Sequence, residues 1–216
     1  MMLAVYLAIG YLIGAFPSSV VFGRVFRGID VREHGSGNAG GTNAWRVCGW
    51  RIGVSVMLAD VAKGVIAAAL IPRLPLGGVP VDAATLGVLC GVAAVIGHVF
   101  PVYIGFRGGK GVATAAGMMI GIAPIPVGIA AGVFALILFS TGTVSLGSIL
   151  GSWAVPILIL LLGRFTTIDH SWVVTLLTAV LAVFITFTHR KNIGRLLRGE
   201  ERSFPKLQLW RYVRRR

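Results

Sequence analysis

Ala83-Ala-Thr-Leu-Gly-Val-Leu-Cys-Gly-Val-Ala-Ala-Val-Ile-Gly-His-Val99 carries no Asp, Glu, Lys or Arg, and it runs straight into Phe100-Pro-Val-Tyr-Ile-Gly-Phe-Arg-Gly-Gly-Lys-Gly111. An apolar run of that length is what bilayer hydrocarbon asks of a crossing helix. The segment after it is its opposite. Glycine frees backbone N–H groups, and Arg107 and Lys110 stand beside them, which makes an anion site. A second loop of this kind, Gly35-Ser-Gly-Asn-Ala-Gly-Gly-Thr-Asn-Ala-Trp-Arg46, also interrupts apolar sequence. Together they point to phosphate chemistry at a membrane face.

Composition agrees. The 216 residues are 56% hydrophobic and 12% charged, with a mean hydropathy of +0.87. A soluble domain carries about 25% charged residues, so the chain reads as one integral membrane domain over 1–216. The net charge is +13. In a soluble protein that would suggest nucleic acid. Here the cations flank apolar runs, so they report topology, and no nucleic-acid partner is expected. Cys48 and Cys90 offer no disulfide framework, and Cys48 falls in a loop placed inside, where thiols stay reduced. The first apolar segment has no charged region before it and no small-residue cleavage site, so it reads as a retained span rather than a signal peptide.

Apolar runs define seven candidate spans, at about 3–22, 52–71, 83–99, 112–123, 126–139, 144–162 and 172–188. The fourth and fifth are short and meet at Ala123-Pro-Ile-Pro126, either as two short helices or as one kinked helix. Cations decide the topology. Arg24, Arg27, Arg32, Arg46 and Arg51 fall in one segment, and Arg107 and Lys110 in a second. The tail from Arg190 holds ten more Lys and Arg, whereas the alternate loops hold only Arg73 and Arg164. Seven crossings put all three basic segments on one side, the cytoplasm. The expected fold is therefore an all-α integral membrane protein of seven transmembrane helices, with two short ones in the middle. Its N-terminus lies outside, its C-terminus is cytoplasmic, and 190–216 forms a basic cytoplasmic tail. The motif loops, the turn Ser140-Thr-Gly-Thr-Val-Ser145 and Thr188-His-Arg-Lys-Asn192 then open to one face.

The first loop matches G-x-G-x-x-G at Gly35–Gly40, but no buried strand precedes it, as a dinucleotide site requires. Its chemistry survives the mismatch: Ser36, Asn38, Thr42 and Asn43 offer hydrogen bonds, and Arg46 offers a fork for phosphate. The second loop fails the nucleotide P-loop pattern, since Ile104 stands at the first glycine and Gly111 at the Ser/Thr. Gly108-Gly-Lys-Gly111 still suits a phosphate, with the helix starting near Val112 aimed at the same anion. Asp60 and Lys63 lie three apart inside the second span, on one helix face. Charges there need partners, so they either pair with each other or support the site. His98 and His189 each end a span on the cytoplasmic side and are candidate bases. His34 and His170 lack such a context, and His170 is expected outside. Asp169 falls on the far side, so no Ser-His-Asp triad assembles, and no cluster has metal-ligand spacing. The aromatic and basic end of the tail, from Leu209, suits anionic headgroups.

Gly-Ser-Gly-Asn-x-Gly-x-Thr-Asn-x-x-Arg at 35–46, Gly-His-x-Phe-Pro with Gly-Gly-Lys-Gly-Val-Ala-Thr at 97–114, and Thr-His-Arg-x-Asn-Ile at 188–193 resemble the bacterial acyl-phosphate-dependent glycerol-3-phosphate acyltransferases, the PlsY family. Asp60-x-x-Lys63-Gly64 fits the same pattern, and the resemblance runs over nearly the whole chain. It implies seven spans with cytoplasmic motif loops in the bacterial inner membrane. It implies transfer of a fatty acyl group from acyl phosphate to the sn-1 hydroxyl of glycerol 3-phosphate, giving 1-acyl-glycerol 3-phosphate and inorganic phosphate. Membrane lipid is the remaining partner, and no cofactor or metal is implied.

Two phosphate-bearing substrates side by side call for two cationic glycine loops. Gly108, Gly109, Lys110 and Gly111 would cradle the acyl phosphate. Ser36, Arg46, Lys110 and Asn192 would hold the glycerol phosphate, with Ser145, His189, Asn38, Thr42, Asn43 and His98 around them and Asp60 and Lys63 in support. Ser36, Arg46, Lys110 and His189 would carry the chemistry, with charge on the carbonyl and leaving phosphate met by backbone N–H groups and Lys110. The base stays open between a substrate phosphate oxygen, His98 and His189. A transporter of phosphorylated solutes would also gather cations, but it predicts an internal repeat and a polar path, and neither is legible. A non-catalytic lipid-binding scaffold leaves the Ser, Asn and Thr groups unexplained.

Overall fold

In the computed structural model, residues 1–166 and 171–208 are described. Asp169, His170 and the end of the tail at 209–216 lie outside the described residues. The described chain is helical, and it divides into two compact units, Met1–Pro124 and Ile125–Arg216.

In the first unit, helices α1 (Met2–Ala15) and α2 (Ser18–Arg27) form what the hydropathy shows as one span. Pro17 separates them, because its ring removes an N–H and its predecessor is pushed out of helical geometry. Phe16 accordingly sits at φ −54°, ψ 118°. The short α3 (Gly41–Cys48) lies on α4 (Trp50–Val65), with Gly53 directly against Trp45. The α4 helix runs on through a π turn at Ile66–Leu70. Next come α5 (Ala83–Val99) and α6 (Val112–Ile122). Close packing comes from small residues, as is usual between helices in lipid. A Cβ on Gly14 would overlap the Ala94 backbone of α5, and one on Gly117 would overlap the Val61 carbonyl of α4.

The second unit holds α7 (Pro124–Thr141), α8 (Val144–Phe165), α9 (Trp172–Thr188) and α10 (Arg190–Leu197). Pro124 opens α7, where a missing N–H costs nothing. Trp153 Nε1 of α8 donates to Thr186 Oγ1 of α9 at 3.1 Å. The segment after α10 folds back on the α7–α8 turn: Phe204 N donates to the Gly142 carbonyl at 2.7 Å and Gln208 Nε2 to that of Thr141 at 2.6 Å. Leu136, Leu160 and Val183 stay exposed, as lipid-facing side chains do.

The all-α membrane architecture is borne out. The count of seven is met only in part. Among the described residues, five helical segments are long and apolar enough to cross: Met2–Arg27, Trp50–Arg73, Ala83–Ile104, Pro124–Thr141 and Val144–Phe165. A sixth exists if the pair Trp172–Thr188 and Arg190–Leu197, bent by 62°, is one span. The fourth apolar run forms an α6 of 11 residues. At about 1.5 Å per residue it rises about 16 Å, half of the roughly 30 Å hydrocarbon core. The fourth and fifth runs are two helices rather than one kinked helix, parted at Ala123 (φ −140°, ψ 71°).

Candidate functional site

The first motif loop is held by an acid that motif reading passes over. Asp30 accepts from Arg32 N and Nε at 3.0 Å each, and its other oxygen takes Arg32 at 2.7 Å and Arg24 at 3.0 Å. Hydrogen bonding from the Arg32 side chain, above all, outweighs burial and holds the Asp30 carboxyl far below its usual range. Arg32 also donates to the Ile104 carbonyl at 2.8 Å, so one guanidinium ties the first loop to the second. Asn43 spends its amide on the same loop. Its Oδ1 accepts Ser36 N at 2.8 Å, and its Nδ2 donates to the carbonyls of Val31 (2.7 Å) and His34 (3.1 Å). Gly35, at φ +63°, has room for no Cβ there, since one would overlap Asn43 Oδ1. Asn43 therefore shapes the loop that carries Ser36. Ser36 is exposed, Asn38, Thr42 and Arg46 are partly buried, and Thr42 and Arg46 ride on α3.

Behind this loop lies a buried ionic cluster. Ser18, Asp60, Lys63 and His98 are 2%, 2%, 6% and 7% exposed. Asp60 Oδ1 accepts Ser18 Oγ at 2.9 Å and Lys63 Nζ at 2.8 Å. Lys63 Nζ also donates to the Phe16 carbonyl at 2.9 Å and lies 3.2 Å from His98 Nδ1. The Pro17 break supplies that carbonyl, because it frees Phe16 from the helical ladder. Asp60 and Lys63 pair with each other, and Lys63 also reaches His98. Ser, Asp and His are gathered, but the serine bonds the aspartate rather than the imidazole, so this is no nucleophilic triad. A small open cleft is lined here by Ser18, Asp60, Lys63, His98, Ala39 and Gly108, among others.

The second loop rests on His98. Gly108 N donates to the Val99 carbonyl at 3.1 Å and Gly109 N to that of His98 at 3.0 Å. Those two N–H groups hold the loop to the end of α5, so in this conformation they are not aimed at an anion. A Cβ on Gly109 would overlap His98 Nε2, and one on Gly108 the His98 carbonyl. Lys110 is partly buried, and Gly111 (φ +86°) caps α6. The first N–H groups of α6 have no partner within the helix and form the donor edge of this loop.

The remaining candidates belong to the second unit. Ser145 Oγ and Asn192 Nδ2 both donate to Glu201 Oε1, at 2.9 and 2.5 Å, and Arg195 Nε donates to Oε2 at 2.7 Å. Burial raises the Glu201 carboxyl, but the bonds from Asn192, Arg195 and Ser145 outweigh it and leave it below the usual range. His189, between α9 and α10, sets Nδ1 2.8 Å from the Ile185 carbonyl. A carbonyl only accepts, so Nδ1 bears the proton and Nε2 keeps a lone pair when the ring is neutral.

Within the first unit the structure thus gathers Ser36 with Asn43, and Asp60, Lys63 and His98 with Gly108 and Gly109. Within the second it gathers Ser145 with Asn192. Asp30, Ser18 and Glu201 escaped the motif reading. Asp30 and Ser18 had signals, an Asp two residues before an Arg and a Ser following a mid-span proline. Glu201 is one of two adjacent acids in a basic tail, with no local signal to tell it from Glu200.

The description "Glycerol-3-phosphate acyltransferase" matches residues 4–199. A protein of that name from Chlorobaculum parvum is 46% identical over 216 aligned residues, covering 90% of this chain and 93% of its own length. One from Chlorobium phaeobacteroides is 43% identical over 92% of this chain. A crystal structure of PlsY, an integral membrane glycerol 3-phosphate acyltransferase in its lysophosphatidic acid form, superposes with a TM-score of 0.80 at 31% identity, covering 96% of this chain and 98% of that one. Its glycerol 3-phosphate form gives 0.77 at 30%.

Proposed function

The chain belongs to the glycerol-3-phosphate acyltransferase family, and from that premise we propose that it moves a fatty acyl group from acyl phosphate to the sn-1 hydroxyl of glycerol 3-phosphate, releasing lysophosphatidic acid and inorganic phosphate. The strongest support is the likeness over 96% of the chain to a structure described in its lysophosphatidic acid form. Both units act as one acyltransferase domain in the bacterial inner membrane. Seven crossings with the N-terminus outside keep the three basic segments in the cytoplasm, with α6 as a short crossing.

The acceptor oxygen attacks the acyl carbonyl carbon, a C–O bond forms, and the bond from that carbon to the phosphate oxygen breaks with its electrons going to phosphate. Phosphate leaves readily, so no covalent enzyme intermediate is needed. Lys110 and the donor edge of α6 meet the charge on the donor side. Ser36 and Arg46 hold the acceptor phosphate, and positioning supplies much of the rate. The hydroxyl proton goes to a substrate phosphate oxygen, His189 or His98.

Purified protein in detergent, given palmitoyl phosphate with and without glycerol 3-phosphate, tests the reading. Phosphate release should require the acceptor and yield lysophosphatidate. Arg46→Ala and Lys110→Ala should each lower it roughly 10²–10³-fold. Well-folded wild type with no acceptor-dependent release would overturn the assignment.

A further inference from the structure

The ionic cluster behind the second loop decides which nitrogen of His98 carries its proton. Lys63 offers three N–H donors and no acceptor. It has three partners: Asp60 Oδ1 at 2.8 Å, the Phe16 carbonyl at 2.9 Å and His98 Nδ1 at 3.2 Å. An ammonium beside Nδ1 requires a lone pair on that nitrogen. Asp60 Oδ1 is 3.6 Å from Nδ1, too far for a hydrogen bond that would claim a proton there. With the ring neutral, the cluster holds one positive and one negative charge, Lys63 and Asp60. The proton therefore sits on Nε2.

Nε2 has no hydrogen-bond partner among the described residues, and Gly109 lies directly against it. The ring also lines the cleft that Gly108 and Ala39 border. The side chain is buried and stands beside the loop that would receive a phosphoryl group.

We propose that His98 is a hydrogen-bond donor to the departing phosphate of the acyl donor, with its proton set on Nε2 by Lys63 and Asp60. This rests on the acyltransferase reading and narrows it. His98 is removed as the base, and Lys63 becomes a positioning residue that acts through the imidazole. As the acyl carbon–oxygen bond breaks, its electron pair goes to the phosphate oxygen. The Nε2–H bond to that phosphate strengthens, and no proton need change owner at His98.

The test joins a spectrum to a substitution pair. In protein labelled with ¹⁵N-histidine and held in detergent micelles, the resonances lost in His98→Gln identify His98. They should show the neutral form protonated on Nε2. Glutamine places an amide N–H near Nε2 and asparagine places one near Nδ1. His98→Gln should therefore keep kcat/KM for palmitoyl phosphate within about tenfold. His98→Asn should lose roughly 10- to 100-fold, the worth of a hydrogen bond to a charged group, with KM for glycerol 3-phosphate unmoved. An imidazolium, a proton on Nδ1, or asparagine equal to glutamine in an active enzyme would overturn the assignment. Wild type that makes no lysophosphatidate would overturn the acyltransferase reading and the donor role with it, while the tautomer would still be read from the spectrum.

Discussion

His98 and His189 each end an apolar helix and each is nearly buried, at 7% and 2% exposed, yet their rings are held in opposite senses. The Nδ1 of His98 faces an ammonium and must accept. The Nδ1 of His189 faces the Ile185 carbonyl and must donate. One ring is left with an N–H at Nε2, the other with a lone pair. The same residue type at the same kind of position becomes donor or acceptor through what its inner nitrogen meets. The partner also differs in origin. Ile185 is four residues back on the same helix, while Lys63 belongs to another helix and is itself oriented by Asp60 and the Phe16 carbonyl.

Breaking that comparison at the acceptor ring has the largest effect. His189→Phe is expected to lower kcat roughly 10²–10⁴-fold, the usual worth of a general base, with smaller changes in KM. Steady-state kinetics decide it, and a loss confined to KM would leave the substrate phosphate as base. The next effect falls on the donor ring through stability. Asp60→Leu strands the Lys63 ammonium and should destabilise the protein by about 3–5 kcal/mol. Thermal unfolding in detergent reads this, and Asp60→Leu with Lys63→Met together should recover most of it.

Gly109→Ala sharpens the comparison more gently. Its methyl group would overlap His98 Nε2, so the loop or ring must shift at a cost of about 1–3 kcal/mol. Activity toward acyl phosphate should fall while His189-dependent features persist. Equal activity and melting temperature would mean that the loop does not rest on His98. The smallest effect is the acid response of the second unit. The Glu201 carboxyl lies below its ordinary 4.5 in the folded state. Its contribution is therefore complete above that value and is lost as pH falls through the lower folded one. The protection of α10 amides, relative to their intrinsic exchange at each pH, should hold down to about pH 4.5 and fall below it, and Glu201→Gln should remove that limb.

Much of the site was legible because its chemistry is local. Glycine density with Arg46 and Lys110 marks the loops proposed to take the phosphates, and Asp60 with Lys63 marks the buried pair, since charges are costly inside an apolar helix. What Asn43 does was not legible. Asparagine in a polar loop reads as a ligand group, and only the fold shows its amide turned inward onto the carbonyls of Val31 and His34. Gly108 and Gly109 behave likewise. Their N–H groups go to the end of α5, and their missing side chains make room for an imidazole.

The sequence by itself determined the membrane class, the order of the apolar helices and the family, because hydropathy and glycine–cation motifs are written in neighbouring residues. Only the tertiary structure decided that Pro17 exposes a carbonyl for Lys63, that Arg32 bridges Asp30 and Ile104, and that Glu201 joins Ser145 to Asn192. Each of these joins positions from two to 72 apart along the chain, and buried polar groups choose among partners by proximity in space. The tautomer of His98 is the sharpest case. Its ring is set by a residue 35 positions away, so no local pattern around Gly97-His-Val99 could reveal which nitrogen carries the proton.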